Sequence, residues 1–278
     1  MTANLQINTF DEYVAMEGLN WSKAKWATKC LRTMRLSDKP RDPSPDMRFG
    51  QDVHSALLEP GDFQSRTQPA PDGLRRGSNE WRRLEEEAAE SGRRLVKAKE
   101  YRDILEVVSA VGDNPDAKHL IYGIPGISEA SVQWKDPATD MLLKARIDRY
   151  CKEETPGVDE GLIVDVKTTQ DINNLQRRLV KFPYMYLHQM AFYRRGIREY
   201  TGQEVVNVAI LAVEKEFGFP TGVFRLDPED LDMADKEINA LLYTIREAEL
   251  LGPLTEQYES STLRPPQWWM DQQQGATS

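Results

Sequence analysis

The chain has 278 residues, 40% of them apolar, which is long enough for a sizeable core, and its formal charge of -9 argues against a protein that coats nucleic acid nonspecifically. Its two cysteines, Cys30 and Cys151, lie far apart without a CxxC or histidine-rich neighbourhood, so neither a disulfide framework nor a structural zinc site is indicated. Residues 1–11 show no basic end followed by an apolar stretch, and no apolar run approaches the roughly 18 residues of a membrane span, so the expectation is a soluble, cytoplasmic protein without a membrane partner.

In chain order, apolar residues at Trp21, Ala24, Ala27, Cys30, Leu31 and Met34 predict a helix over 21–34, ended by the three prolines between Asp38 and Pro45. A short helix is predicted over 49–58, stopped by Glu59-Pro60-Gly61, and it displays His54 one turn from Leu57 and Leu58. Residues 63–79 read as an exposed polar loop. Two surface helices follow over 79–111, divided near Ser91-Gly92, with Trp81, Leu84, Ala88, Leu95, Tyr101, Leu105 and Val108 as their apolar positions.

The texture changes near Ile127. Residues 128–134, 141–150, 161–168 and 205–213 are short, suited to strands and bounded by Gly, Pro and Asp clusters. Between the last two lies a helix over 184–200, with Tyr186, Met190, Tyr193 and Ile197 at helical spacing, and a further helix over 228–250 closes the pattern. The fold class expected is α/β, a central mixed sheet flanked by helices on both faces. One domain is expected: a helical part over about 1–126, a sheet-bearing core over about 127–250, and a tail over 251–278 in which Trp268 and Trp269 are suited to docking on a neighbour or on the domain itself.

Chemistry concentrates on the third strand. Asp165 and Lys167, two apart, project from one face, while Val164 and Val166 point to the buried face. A carboxylate there can hold a hard divalent cation, and a lysine beside it can orient a water for in-line attack on a phosphodiester. A surface salt bridge explains most Asp-x-Lys triplets, so the neighbours matter. Asp148 on the preceding strand can face Asp165 across the sheet, a pair that repels unless a cation lies between them. Gln189 and Tyr193, four apart on the next helix, share a face that can reach the strand's end. Between Asp165 and Arg198 the bases Lys167, Arg177, Arg178, Lys181, Arg194, Arg195 and Arg198 outnumber the acids Asp165 and Asp171 by five, which suits a face that admits a polyanion as well as it suits an ordinary charged helix.

Together, Asp148, Asp165-Val166-Lys167-Thr168-Thr169 and Gln189-Met190-Ala191-Phe192-Tyr193 resemble the signature of the PD-(D/E)xK nuclease superfamily, in its branch with a Gln-x-x-x-Tyr helix. Residues 49–60, Phe-Gly-Gln-Asp-Val-His-Ser-Ala-Leu-Leu-Glu-Pro, are similar to the histidine helix of exodeoxyribonuclease VIII (RecE-type) nuclease domains, as are Val213-Glu214-Lys215-Glu216 and Pro220. The resemblance implies that His54, Asp148, Asp165 and the Val166 carbonyl ligate Mg²⁺, with Mn²⁺ accepted because imidazole is an unusual ligand for magnesium. It also implies that Lys167 positions the attacking water and that Gln189 and Tyr193 support the site and the DNA strand. Glu129 stands where relatives carry a glutamate, either at the site or as a solvated strand-end charge. Thr168, Arg177, Arg178 and Lys181 are candidates for phosphate contacts that are independent of sequence and sensitive to salt.

The activity so implied is a DNA exonuclease acting 5′ to 3′ on the ends of linear double-stranded DNA to leave single strands for recombination. With it come a phage or prophage origin, a ring-shaped homo-oligomer such as a tetramer, and a partner that anneals single strands. The competing readings are a related repair nuclease of the same fold, disfavoured because two cysteines cannot hold an iron-sulphur cluster, a sequence-specific restriction endonuclease, and a DNA-binding subunit without chemistry. His188 is read as a surface or packing residue, and His119 has no motif around it.

Overall fold

The structure, a computed structural model, describes residues 3–37, 43–152, 161–202, 207–216, 218–250 and 264–265. Residues 205 and 206 of the expected fourth strand and the Trp268-Trp269 pair lie outside the described residues. Strand β1 (Asn4–Ile7) and helix α1 (Phe10–Ala15) come first, and α1 is closed by a capping box between Thr9 and Glu12. The single helix expected over 21–34 is instead α2 (Trp21–Ala24), a 3-10 turn (Lys25–Thr28) and α3 (Leu31–Leu36). Cys30 breaks it: its backbone is extended, and its Sγ accepts the N–H of Thr33 as the cap of α3.

Helix α4 (Pro45–Leu58) starts a turn earlier than expected, because Ser44 caps it and Pro45 fits the first turn, where no N–H is needed. Pro60 does the same for α5 (Pro60–Arg66), so the Glu59-Pro60-Gly61 stop is also a start. The expected exposed loop therefore contains a helix that buries Phe63, then β2 (Thr67–Pro69), which pairs in parallel with β3 (Arg94–Val96) across α6 (Asn79–Glu90). Helix α7 (Ala98–Asp113) is a core helix rather than a surface one: it buries Ile104, Val107 and Val111 and leaves Leu105 exposed. Helix α8 (Pro115–Lys118) and a π-helical turn lead into the sheet strands.

The strands β4 (Ile127–Lys135), β5 (Leu142–Cys151) and β6 (Leu162–Thr169) run antiparallel in sequence. Helices α9 (Leu175–Val180) and α10 (Tyr186–Thr201) then carry the chain to β7 (Asn207–Glu214), parallel to β6, followed by antiparallel β8 (Thr221–Arg225) and α11 (Pro228–Leu250). Among the described residues the sheet has six strands in the order β1-β4-β5-β6-β7-β8, mixed as expected, with β1 and β8 as edges that the sequence pattern did not show.

Period-two alternation on β6 sends Leu162, Val164 and Val166 to one face, against α4, α5, α7 and α8, and Ile163 to the other, against α2, α3, α10 and α11. Helices thus cover both faces. Helix α10 lies between the sheet and α11, which is why it is buried nearly all round. Gly196 permits its closest approach, since a Cβ there would come within 2.8 Å of the Trp134 ring. Among the described residues no helix is long and apolar enough to cross a membrane.

Candidate active site

Strands β5 and β6 part company where the chemistry lies. Their pairing covers Arg149↔Val164, Tyr150↔Ile163 and Cys151↔Leu162, and the next pair in that register, Asp148 with Asp165, is not formed. On the other side of β5, Ser128↔Arg149 and Ala130↔Ile147 pair, while Glu129 opposite Asp148 does not, and Glu129 has φ 52°. Glu129, Asp148 and Asp165 therefore stand at one level across three strands, at the point where the ladder opens. Strand β5 also slips its alternation here, because Ile147 and Tyr150, three apart, both join the core beneath α10.

The opening leaves the Val166 N–H without a strand partner, and Asp148 Oδ2 accepts it at 2.7 Å. The other side of the site comes from α4, which lies so close to β6 that a Cβ on Gly50 would stand 3.0 Å from Thr168 Oγ1. One turn further along α4, His54 Nδ1 lies 3.4 Å from Asp148 Oδ2. His54, Glu129 and Asp148 each offer a ligand atom, and these atoms all lie within 4.8 Å of one another.

Burial lowers the His54 pKa, and the Lys167 charge adds to this, so the ring is neutral at pH 7 and has a lone pair to offer a metal. Burial raises Glu129 and Asp148, and Asp148 raises Glu129 further. Asp165, 1% exposed, is pushed up to about 6 by burial, against the lowering effect of Lys167. Lys167 Nζ is 2.5 Å from Asp165 Oδ2, an ion pair by distance, yet among the described residues neither Asp165 oxygen receives a hydrogen bond of good geometry. Burial alone would lower the Lys167 pKa, but the Asp165 and Asp148 carboxylates outweigh it and raise it, so its amine stays charged.

Helix α10 supplies the third wall. Gln189 donates to the Tyr193 hydroxyl at 2.6 Å, and burial followed by the Asp165 and Asp148 charges holds that hydroxyl well above its usual pKa. Tyr186 places its ring 5.1 Å from Lys167 Nζ.

The PDDEXK-like domain of unknown function DUF3799 matches residues 22–250. The chain belongs to this family. No curated protein matches it. Among solved structures, a protein from Eubacterium rectale described as a "putative exonuclease" is similar over 97% of this chain and 99% of its own, at 14% identity and a TM-score of 0.59, a likeness of fold. Membership of the PDDEXK-like family makes the chain a nuclease of the PD-(D/E)xK superfamily by fold, of a kind that uses divalent metals.

Within that PDDEXK-like frame, the structure brings together eight of the sequence-predicted positions: His54, Glu129, Asp148, Asp165, Val166, Lys167 and, on its flank, Gln189 and Tyr193. Glu129, for which two readings were open, has a side chain 13% exposed, pairs with Arg146 and stands with His54 and Asp148. Thr168 turns its hydroxyl toward Gly50. Arg178 donates to Thr169 at 3.1 Å and lies over the Tyr184 ring, while Arg177 and Lys181 are exposed on and beside α9. The counted basic excess shrinks, because Arg194 pairs with Asp232, Arg195 with Asp136 and Asp235, and Arg198 with Asp235. His188 is the packing residue, stacked on Trp21 and bonded to Glu237. Arg146, Tyr186 and Gly50 were not among the site residues expected from the sequence. Only Gly50 offered a local signal, a glycine inside the helical pattern just ahead of His54.

Proposed function

We propose that the protein is a DNA exonuclease that uses a divalent cation to hydrolyse phosphodiester bonds at the ends of linear duplexes, 5′ to 3′, in the manner of the exodeoxyribonuclease VIII group it resembles. The observation that carries the chemistry is the convergence of His54, Glu129 and Asp148 within 4.8 Å beside the Asp165–Lys167 pair. These residues fit a cation. Three carboxylates at one level, with Asp148 and Asp165 buried and Glu129 partly so, repel one another, and among the described residues Lys167 alone offers Asp165 a compensating positive charge at ion-pair distance. His54, Glu129, Asp148, Asp165 and the Val166 carbonyl would hold it, and the oxygen-rich set suits Mg²⁺ while the imidazole admits Mn²⁺. Once bound, the cation supplies Lewis acidity at the phosphodiester and neutralises charge.

The chain's own side chains do the rest. Lys167, kept protonated by its carboxylates, orients the attacking water and offers positive charge to the phosphate; it is not the base. Tyr193, kept protonated and tied to Gln189, presents a donor at the edge of the site. The buried site keeps bulk water from screening these charges. Arg177, Arg178, Lys181 and Thr168 contact the DNA backbone. The same resemblance supports a ring-shaped homo-oligomer, a partner that anneals single strands, a recombination role and a phage or prophage origin, and the two separated cysteines fit a reducing cytoplasm.

Digestion of 5′-labelled linear duplex beside covalently closed circles tests the reading. Loss of linear DNA alone is the expected result; nicking of the circles at a similar rate would overturn the exonuclease assignment and favour an endonuclease.

A further inference from the structure

Strand β4 is irregular at Glu129. The residue's backbone is in the left-handed region, at φ 52°, and its pairing with β5 is interrupted. What fixes its carboxylate is Arg146, whose Nε donates to Glu129 Oε2 at 2.6 Å. The same guanidinium donates through Nη1 to the Asn8 carbonyl at 3.0 Å and lies 5.9 Å from the centre of the Phe10 ring. The segment carrying these groups is itself fastened to the sheet. Asn8 Oδ1 accepts from Ser131 at 2.6 Å, and Lys144 Nζ donates to the carbonyls of Tyr13, Val14 and Met16 at 3.0, 3.1 and 2.5 Å. An N-terminal strap thus grips one end of Arg146, and Arg146 grips Glu129.

We propose that Arg146 is a positioning residue, held by the β1–α1 strap, that keeps the Glu129 carboxylate beside His54 and Asp148 for divalent-cation binding. The proposal rests on the metal centre proposed above. Its signature has a definite sign. A nearby positive charge repels a cation, so removing Arg146 would tighten metal binding if Coulomb repulsion were all it contributed. Loss of positioning does the opposite: Glu129 is freed to turn away from Asp148, and residues that orient metal ligands typically contribute about 10–100-fold in affinity.

The test is calorimetric titration of the full chain with MnCl₂, without DNA, for wild type, Arg146→Ala, Arg146→Lys, Glu129→Gln and the Glu129→Gln/Arg146→Ala pair, with circular dichroism confirming that each is folded. The expected result is binding at least about tenfold weaker in Arg146→Ala, partly restored in Arg146→Lys, and no further loss when Arg146→Ala is added to Glu129→Gln. Unchanged or tighter binding by Arg146→Ala overturns the proposal, as does an equal loss in the Glu129→Gln background, which would show that Arg146 acts through another group. Should Arg146→Ala not fold, the lysine variant carries the same comparison. A wild-type chain that binds no Mn²⁺ overturns the metal centre itself, a failure distinguishable from that of Arg146.

Discussion

Asp148 closes the gap between β5 and β6 by accepting the Val166 N–H at 2.7 Å, so one carboxylate both completes the backbone and faces the site. The two roles separate by mutation. Asp148→Asn keeps an acceptor for Val166 and removes a buried charge that burial already disfavours, so the metal-free protein should be at least as stable as wild type while cleavage falls by about 100-fold or more. Asp148→Ala should lose cleavage too, and in addition cost about 1–3 kcal/mol for the orphaned N–H. Thermal unfolding in EDTA beside a cleavage assay distinguishes them; equal destabilisation by both variants would contradict the backbone role.

Asp165 gives the metal-free protein a pH dependence. Its pKa is raised to about 6 in the fold, above its value in the unfolded chain, so the folded state binds the extra proton. The stability this contributes is present in full below about pH 4 and is lost as pH rises toward 6, with an upper size on the order of 3 kcal/mol. In EDTA, wild type should therefore lose stability between pH 4 and 6 relative to Asp165→Asn, measured by urea unfolding at each pH. Parallel profiles for the two proteins would refute the assignment.

Gly50 sets the distance from α4 to β6. A methyl group there meets Thr168 Oγ1 at 3.0 Å, so Gly50→Ala must displace either the hydroxyl or the helix that carries His54. Alanine favours the helix by up to about 1 kcal/mol, so the expected result is near-neutral stability with cleavage reduced about tenfold, and little further loss when Thr168→Ala is already present. Fully additive effects in the double variant would show that the contact does not transmit the change.

Basic residues on neighbouring elements should behave differently. Arg177→Ala and Lys181→Ala, both on exposed positions, should leave stability unchanged and each reduce the salt dependence of DNA binding by about one counterion. Arg195→Ala strands Asp136, which is 1% exposed, and should destabilise by about 3–5 kcal/mol. Salt titrations of DNA affinity beside denaturant unfolding check both; a reduced salt slope for a stable Arg195→Ala would reverse the roles.

What the sequence showed of this site was what short-range geometry dictates. Asp165 and Lys167 share a face because a strand alternates, and Gln189 and Tyr193 share one because a helix turns every 3.6 residues. The mixed sheet between helices followed from the order of such segments. Arg146 escaped notice because its meaning lies in Glu129, 17 residues away, and in a strap more than a hundred residues earlier. Arg194, Arg195 and Arg198 read as part of a basic face until Asp232 and Asp235 of α11, and Asp136 for Arg195, supplied their acids. Pro60 read as a stop because proline ends helices, although it opens them equally well at the first turn. Strands β1 and β8 are sheet edges of four and five residues, too short for alternation to show.

The central claim is that this cluster hydrolyses phosphodiester bonds with a divalent cation and that Lys167 orients the water. Single-turnover cleavage of end-labelled linear duplex by the purified full chain, with Mg²⁺, with EDTA and with Lys167→Ala, tests it most directly. Cleavage by wild type in Mg²⁺, none in EDTA, and a rate about 100-fold or more lower for Lys167→Ala at unchanged fold is the predicted result. Cleavage that survives EDTA, or a Lys167→Ala variant as fast as wild type, would contradict it.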